Sequence, residues 1–242
     1  MIKFLKIIIN YKTQKELYKK ISYSEIGEDL IIDFVFHGLD IKKIEYLDIG
    51  AYHPIEINNT YLFYLKGSQG VLVEPDPFFV KDLKKMRPND IVLNVGLGSE
   101  NRTNVDFYIM STRGLNTFDE TQANMINDEG DYHIKEIIKV NILNINEIIE
   151  NYFNQSPNLI DIDTEQLDFQ ILQSFNFNKY RPEIFCVETA AFGESGMQEK
   201  FEYIHEFMAE KGYFIFADTY VNTIYVDRHK WKNRKVPWLY NN

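Results

Sequence analysis

The chain of 242 residues holds one cysteine, Cys186, so no internal disulfide is open to it. An unpaired thiol suits a reducing cytoplasm, and in the apolar run E-I-F-C-V-E it reads as an inert core residue. Positive charge is scarce: 26 Lys and Arg stand against 36 Asp and Glu, for a formal net charge of −10. Every phosphate contact needs a cation, so this balance points away from nucleic acid as the main partner. No apolar run is long enough to span a bilayer. The start, Met1 to Ile9, is broken by Lys3 and Lys6, lacks a small-residue cleavage site and leads into a charged stretch. A docked terminal helix is expected there, as part of a helical segment over 1–40; a basic amphipathic helix resting on a membrane surface is the alternative. Histidine is sparse too. His37, His133, His205 and His229 have no partner at metal-ligand spacing, which argues against a histidine-based zinc site.

What the chain does have is apolar and aromatic residues, 45% and 15% of the total, the mark of an ordered globular protein. At this length one domain over 1–242 buries a full core. Strand-like runs fall near 45–49, 70–74, 91–95, 158–163 and 183–188. Helical runs fall near 26–38, 59–66, 77–86, 144–153, 166–174 and 198–211. The alternation predicts an α/β fold with a mostly parallel sheet covered on both faces. Asn59 or Thr60 is expected to cap the second helix and Gly67 to end it. Two further strands, 105–110 and 136–143, flank a polar insertion over 111–135, long enough to be a functional loop on the substrate side. The runs Y-F-I-F-A-D and T-I-Y-V-D close the chain as an antiparallel hairpin.

Two segments carry chemistry. Y-L-D-I-G-A-Y-H-P at 46–54 is an apolar strand ending in an acid and a glycine turn; V-L-V-E-P-D-P at 71–77 is a second strand ending in another acid. Gly50 lets the backbone pass close under a ligand, and Glu74 is placed to accept hydrogen bonds from both hydroxyls of a ribose. That pair is how a class I, Rossmann-like methyltransferase fold holds S-adenosylmethionine. A dinucleotide site, as in an oxidoreductase, needs more glycines so that a pyrophosphate can lie on bare backbone; the turn here has only Gly50.

In chain order Y-S-E-I-G-E-D-L-I, Y-L-D-I-G-A-Y-H-P, N-N-T-Y-L-F-Y, V-E-P-D-P, D-I-V-L-N-V-G-L-G, L-I-D-I-D-T-E-Q-L-D-F-Q-I-L and K-Y-R-P-E-I-F-C-V-E make the chain resemble the FkbM-type S-adenosylmethionine-dependent methyltransferases along nearly its whole length. The resemblance implies O-methylation of a hydroxyl, on a sugar or a polyketide-type product, and a tailoring role for capsule, lipopolysaccharide or other surface glycans. A sugar or nucleotide-sugar substrate is the partner implied, and a homo-oligomer is left open. Two positions depart from the family pattern: Gln166 stands where glycine is common after D-x-E, and Glu25 where Gln is usual. A methyltransferase-fold binding protein without catalysis is the alternative that Gln166 leaves standing.

Ligands of parallel sheets bind beyond the carboxyl ends of the strands. The first strand there offers Asp48, Gly50, Ala51 and Tyr52, with Asp48 expected to orient the turn and face the amino group of the methionine moiety. The second offers Glu74, Pro75 and Asp76; the third offers Asn94, Val95 and Gly96, suited to the adenine edge. Ser24 is expected to cap a helix whose first turn carries Glu28 and Asp29, and the resemblance implies that this turn closes over the methionine end. His53 is the neutral base candidate, beside Asp163. Asp163 and Glu188, at the ends of the fourth and fifth strands, are the candidate ligands for Mg²⁺ or Mn²⁺. Asp161 shares a strand face with Asp163 and needs a partner if buried. The basic tail Arg228 to Lys235 is a candidate for a nucleotide-sugar diphosphate.

Overall fold

The computed structural model describes residues 19–164, 167–192 and 198–235. The terminal helix expected within 1–18 and the departure at Gln166 lie outside them.

The strands run in chain order β1 (Glu45–Ile49), β2 (Gln69–Val73), β3 (Ile91–Leu93), β4 (Gly96–Gly98), β5 (Arg102–Met110), β6 (Ile134–Asn144), β7 (Leu159–Ile162), β8 (Ile184–Glu188), β9 (Ala190–Phe192), β10 (Gln198–Lys200), β11 (Tyr213–Asp218) and β12 (Asn222–Asp227). Seven of them form one sheet in the order β11-β12-β8-β7-β1-β2-β3. From β3 to β8 all neighbours are parallel; β12 then pairs antiparallel with β8, and β11 with β12. The chain winds outward from β1 to β3, then returns to β7 on the other flank of β1. That reversal splays the connections at the carboxyl ends of β1 and β7 and opens a crevice there.

The strands read as continuous apolar runs because both faces are covered. On one face Leu47, Ile49, Val73, Ile160 and Val187 pack on Ile145, Ile148 and Ile149 of the Ile145–Tyr152 helix, Ile171 and Leu172 of the Asp168–Ser174 helix, and Ile204 and Met208 of the Glu202–Glu210 helix. On the other face Tyr46, Leu72, Leu159 and Cys186 meet Ile32, Val35 and Phe36 of the Glu28–Gly38 helix, with Phe63 and Leu83. Alternation along β1 divides the two sets.

Local chemistry moves several boundaries. The helix expected from residue 198 begins at Glu202, because Gln198–Lys200 pairs antiparallel with Ala190–Phe192. At the Tyr61–Leu65 helix neither expected residue caps with its side chain: the Asn58 Oδ1 accepts the amides of Thr60 and Tyr61, leaving the Thr60 hydroxyl for Asp48. Gly67 turns left-handed after that helix, as expected. The third strand stops at Leu93, and Gly96–Gly98 joins a second sheet, β4-β6-β5. Within the insertion the polar residues form a 3₁₀ turn, Arg113–Leu115, and the Glu120–Glu129 helix, whose N-cap Asp119 accepts two amides. Among the described residues no helix is long and apolar enough to cross a membrane.

Candidate active site

A cavity of about 320 Å³ opens at the carboxyl ends of β1, β2, β7 and β8. Its floor is Gly50, at φ +84, whose amide donates to the Val73 carbonyl of β2. A Cβ there would lie 1.8 Å from the Asp163 carbonyl oxygen. The glycine is thus demanded first by the backbone of the neighbouring β7 connection, beneath any ligand. Asp163 donates its amide to Ile49 at 3.0 Å, locking the two strand ends together.

Glu74 leaves β2 on the cavity wall, 5% exposed. Its Oε2 accepts the Tyr52 amide at 2.9 Å and its Oε1 the Asp76 amide at 2.7 Å. Each carboxylate oxygen has a second lone pair, so one acceptor site per oxygen remains, the geometry a vicinal diol fits. Burial pushes the Glu74 carboxyl up to about 7, against the pull of those two amides. Tyr52, at φ 47, lines the cavity with its ring 4.3 Å from Phe79; Pro75 and Gly96 line it too.

Other expected site residues stand behind the wall. Asp48, 2% exposed, accepts the Thr60 hydroxyl and lies 3.9 Å from the Nη1 of Arg87. Arg87 is itself fully buried and donates to Asn58, Tyr46, Thr60 and Asp90. Asp48 thus anchors the base of the turn instead of reaching the cavity. Its cross-strand neighbour Asp161 accepts from the Asn59 amide at both oxygens; burial and then the charge of Asp48 hold its carboxyl well above the usual range. Ala51 is buried and donates its amide to Val73. Asn94 donates to the carbonyls of Glu74 and Pro75, pinning the connection after β2, while Val95 packs against the core. Asp76 caps the Pro77–Met86 helix through the Phe78 amide.

The turn before the Glu28–Gly38 helix is closed by its own side chains. Asp29 accepts from Ser22, Ser24 and the Tyr23 amide, and the Ser24 oxygen accepts the Gly27 and Asp29 amides. Gly27, left-handed, holds the N-cap position. Glu28 accepts from Thr219 and Asn222 of the closing hairpin; burial pushes its carboxyl up, but the hydrogen bonds outweigh that and hold it low. From this segment it is Glu25 that lines the cavity.

His53 sits behind the turn, where its Nδ1 accepts the amides of Ile55 and Glu56 at 3.3 and 2.9 Å. With Nδ1 accepting from backbone, the ring N–H lies on Nε2, and His53 is not among the residues lining the cavity. The side chain reads as a turn-former. Asp163 and Glu188 both line the cavity. Among the described residues no group of three or more His, Cys, Asp and Glu side chains is arranged to hold a metal ion, so Asp163 and Glu188 have no third such ligand beside them there. The basic tail lies elsewhere: Lys230 binds Glu183, Arg228 lies over Phe214 and Arg234 over Trp231.

The insertion supplies what sequence reasoning missed. Arg113 pairs with Asp76 and lies 4.2 Å over the Phe78 ring, and Asn116 donates to the same carboxylate at 2.9 Å. These contacts bring Phe118 to Gly96, where a Cβ would meet its ring at 2.4 Å. Phe118 packs on Phe107, ring centroids 4.5 Å apart, and both line the cavity together with Phe79. The insertion's length was the available signal; its target was not.

A switch-point crevice with a glycine floor and a buried carboxylate, on a mostly parallel sheet closed by an antiparallel hairpin, is the class I S-adenosylmethionine-dependent methyltransferase fold. The sequence model of the methyltransferase FkbM domain matches residues 48–215. The chain belongs to the FkbM methyltransferase family. Among solved structures it is similar to a TehB-like SAM-dependent methyltransferase from Corynebacterium glutamicum, at 9% identity and TM-score 0.43, covering 92% of this chain and 96% of that one. It is similar also to a putative caffeoyl-CoA O-methyltransferase from Staphylococcus aureus, at 8% identity and TM-score 0.46 over 91% and 90% of the two chains. A third is the magnesium protoporphyrin IX methyltransferase from Synechocystis with bound SAM, at 7% identity and TM-score 0.39 over 89% of each. No curated protein matches the chain.

Proposed function

We propose that the protein methylates a hydroxyl of a sugar, as a cytoplasmic step in building a surface glycan such as capsule or lipopolysaccharide. S-adenosylmethionine supplies the activated methyl group. Glu74 holds the ribose diol over β2, the Gly50 turn runs beneath it, and the aromatic wall of Phe79, Phe107 and Phe118 takes the adenine. The acceptor then enters over β7 and β8. The observation that carries the reading is the pair of carboxylates, Asp163 and Glu188, lining that far half of the cavity.

A hydroxyl is a poor nucleophile until its proton has somewhere to go. Asp163 is the nearer to the turn, since its backbone abuts Gly50, and its carboxylate is assigned as proton acceptor. The C–O bond forms as the S–C bond breaks, the electron pair passes to sulfur, and the hydroxyl proton passes to the Asp163 oxygen. Alignment supplies the rest of the acceleration. Methyl-labelled S-adenosylmethionine, offered with a panel of hexoses, glycosides and nucleotide sugars, tests this. The expected product is an O-methyl ether identified by mass spectrometry. Label found on nitrogen, carbon or a non-carbohydrate product alone would overturn the sugar assignment.

A further inference from the structure

The peptide unit between Ala51 and Tyr52 is gripped at both ends. Its N–H donates to the Glu74 Oε2 at 2.9 Å, and its carbonyl accepts the Asn58 Nδ2 at 3.1 Å. A trans peptide is planar and carries these two groups on opposite sides, so fixing the carbonyl aims the N–H. The same Asn58 nitrogen donates to the His53 carbonyl at 3.3 Å and so spans the turn around Tyr52. That turn needs a restraint. Tyr52 at φ 47 and Ile57 at φ 51 are bulky residues in the left-handed region, and both line the cavity. Each costs about 1–2 kcal/mol, a strain that lasts only where the surroundings over-determine the backbone.

Asn58 is itself fixed from the far side. It is buried, and its Oδ1 accepts the amides of Thr60 and Tyr61 at 3.1 and 2.8 Å and the Nη1 of Arg87 at 3.0 Å. Three N–H donors on one end of the amide leave its NH₂ to face the two carbonyls. Arg87, at the end of the Pro77–Met86 helix, is anchored in turn on Asp90 at 2.8 Å and on the Tyr46 hydroxyl at 2.9 Å. Resting on the reading above that Glu74 holds the cofactor ribose, we infer that Asn58, aimed by Arg87, is a positioning residue for the cofactor. From behind the cavity wall it holds the strained turn and sets the Tyr52 amide that orients the Glu74 carboxylate.

The test is a double-mutant cycle on the full chain, read as the Kd of S-adenosylhomocysteine by calorimetry at pH 8. A serine in place of Asn58 can still accept the Tyr61 amide at the helix start, but it has no NH₂ for the two carbonyls. Asn58→Ser is expected to weaken binding about tenfold in the wild-type background. Beside Glu74→Gln, where the carboxylate it orients is gone, the further loss should be under about threefold. An unchanged Kd for Asn58→Ser alone overturns the inference. So does an equal loss in both backgrounds, which is the additivity that a purely structural role gives. If Asn58→Ser does not fold, Asn58→Asp, which keeps the acceptor for Arg87 and both amides, takes its place in the cycle with the same expectations. Failure of the wild type itself to bind S-adenosylhomocysteine strikes the cofactor assignment, and this inference falls with it.

Discussion

Replacement of Glu74 by Gln separates two roles of one carboxylate. In the wild type burial raises this carboxyl from 4.5 to about 7. A raised acid favours the folded state while it keeps its proton, so its contribution is full below pH 4.5 and is lost as pH rises through 7. A rise of that size corresponds to about 3 kcal/mol, most of which falls between pH 5 and pH 8. Gln does not titrate and escapes that loss. It sets an NH₂ against one of the two amides that Glu74 accepts, a mismatch costing about 1–3 kcal/mol at every pH. Glu74→Gln is therefore expected to be less stable than wild type at pH 5 and close to it, or above it, at pH 8. Urea titrations at the two pH values, without cofactor, measure the difference. Cofactor binding behaves in the opposite sense: the ribose donates to the carboxylate, so wild-type affinity should rise up to tenfold per pH unit below 7 and level off above. The variant should bind about 10–100-fold more weakly, with no such pH slope. A stability difference that stays constant from pH 5 to pH 8 would refute the buried, proton-linked role of Glu74.

Gly50→Ala should cost about 2–5 kcal/mol, since a left-handed residue acquires a Cβ against the Asp163 carbonyl; an unchanged thermal midpoint would remove that argument. Asp163→Asn is expected to lower kcat by about 10²–10⁴-fold while S-adenosylhomocysteine still binds, and a rate within threefold of wild type rules it out as proton acceptor. His53→Ala takes the acceptor from two backbone amides, so it should lose about 1–3 kcal/mol of stability and keep kcat within twofold. A hundredfold drop in kcat would return His53 to the role of base. Arg113→Ala frees the insertion from Asp76 and Phe78; cofactor affinity should fall by about 3–30-fold, read by calorimetry, with the main sheet's stability little changed.

The elements of the main sheet could be read directly from the residues. Strands buried on both faces must be apolar throughout, and helices covering them must be apolar on one side, so the runs at 45–49, 77–86 and 183–188 announced themselves by pattern. The glycine turn and the acid ending β2 were legible as strand-end residues, although the clearance that Gly50 gives is demanded by the distant Asp163 carbonyl. Partners distant in the chain were not legible. Asp48 was expected at the cofactor, yet its fate rests on Arg87, which reaches it only because β2 lies beside β1 and the following helix folds back over the pair. His53 had the right chemistry for a base, but its Nδ1 is turned to the Ile55 and Glu56 amides and the side chain is not on the cavity wall. Ser111 to Asp131 carried only polarity and length, and it took the β5–β6 pairing to swing Arg113 onto Asp76 and Phe118 onto Gly96. Composition and spacing determined which cofactor chemistry this protein serves. Sheet order and long-range pairing decided which side chains reach the cavity and with what charge, because those depend on neighbours that no stretch of sequence contains.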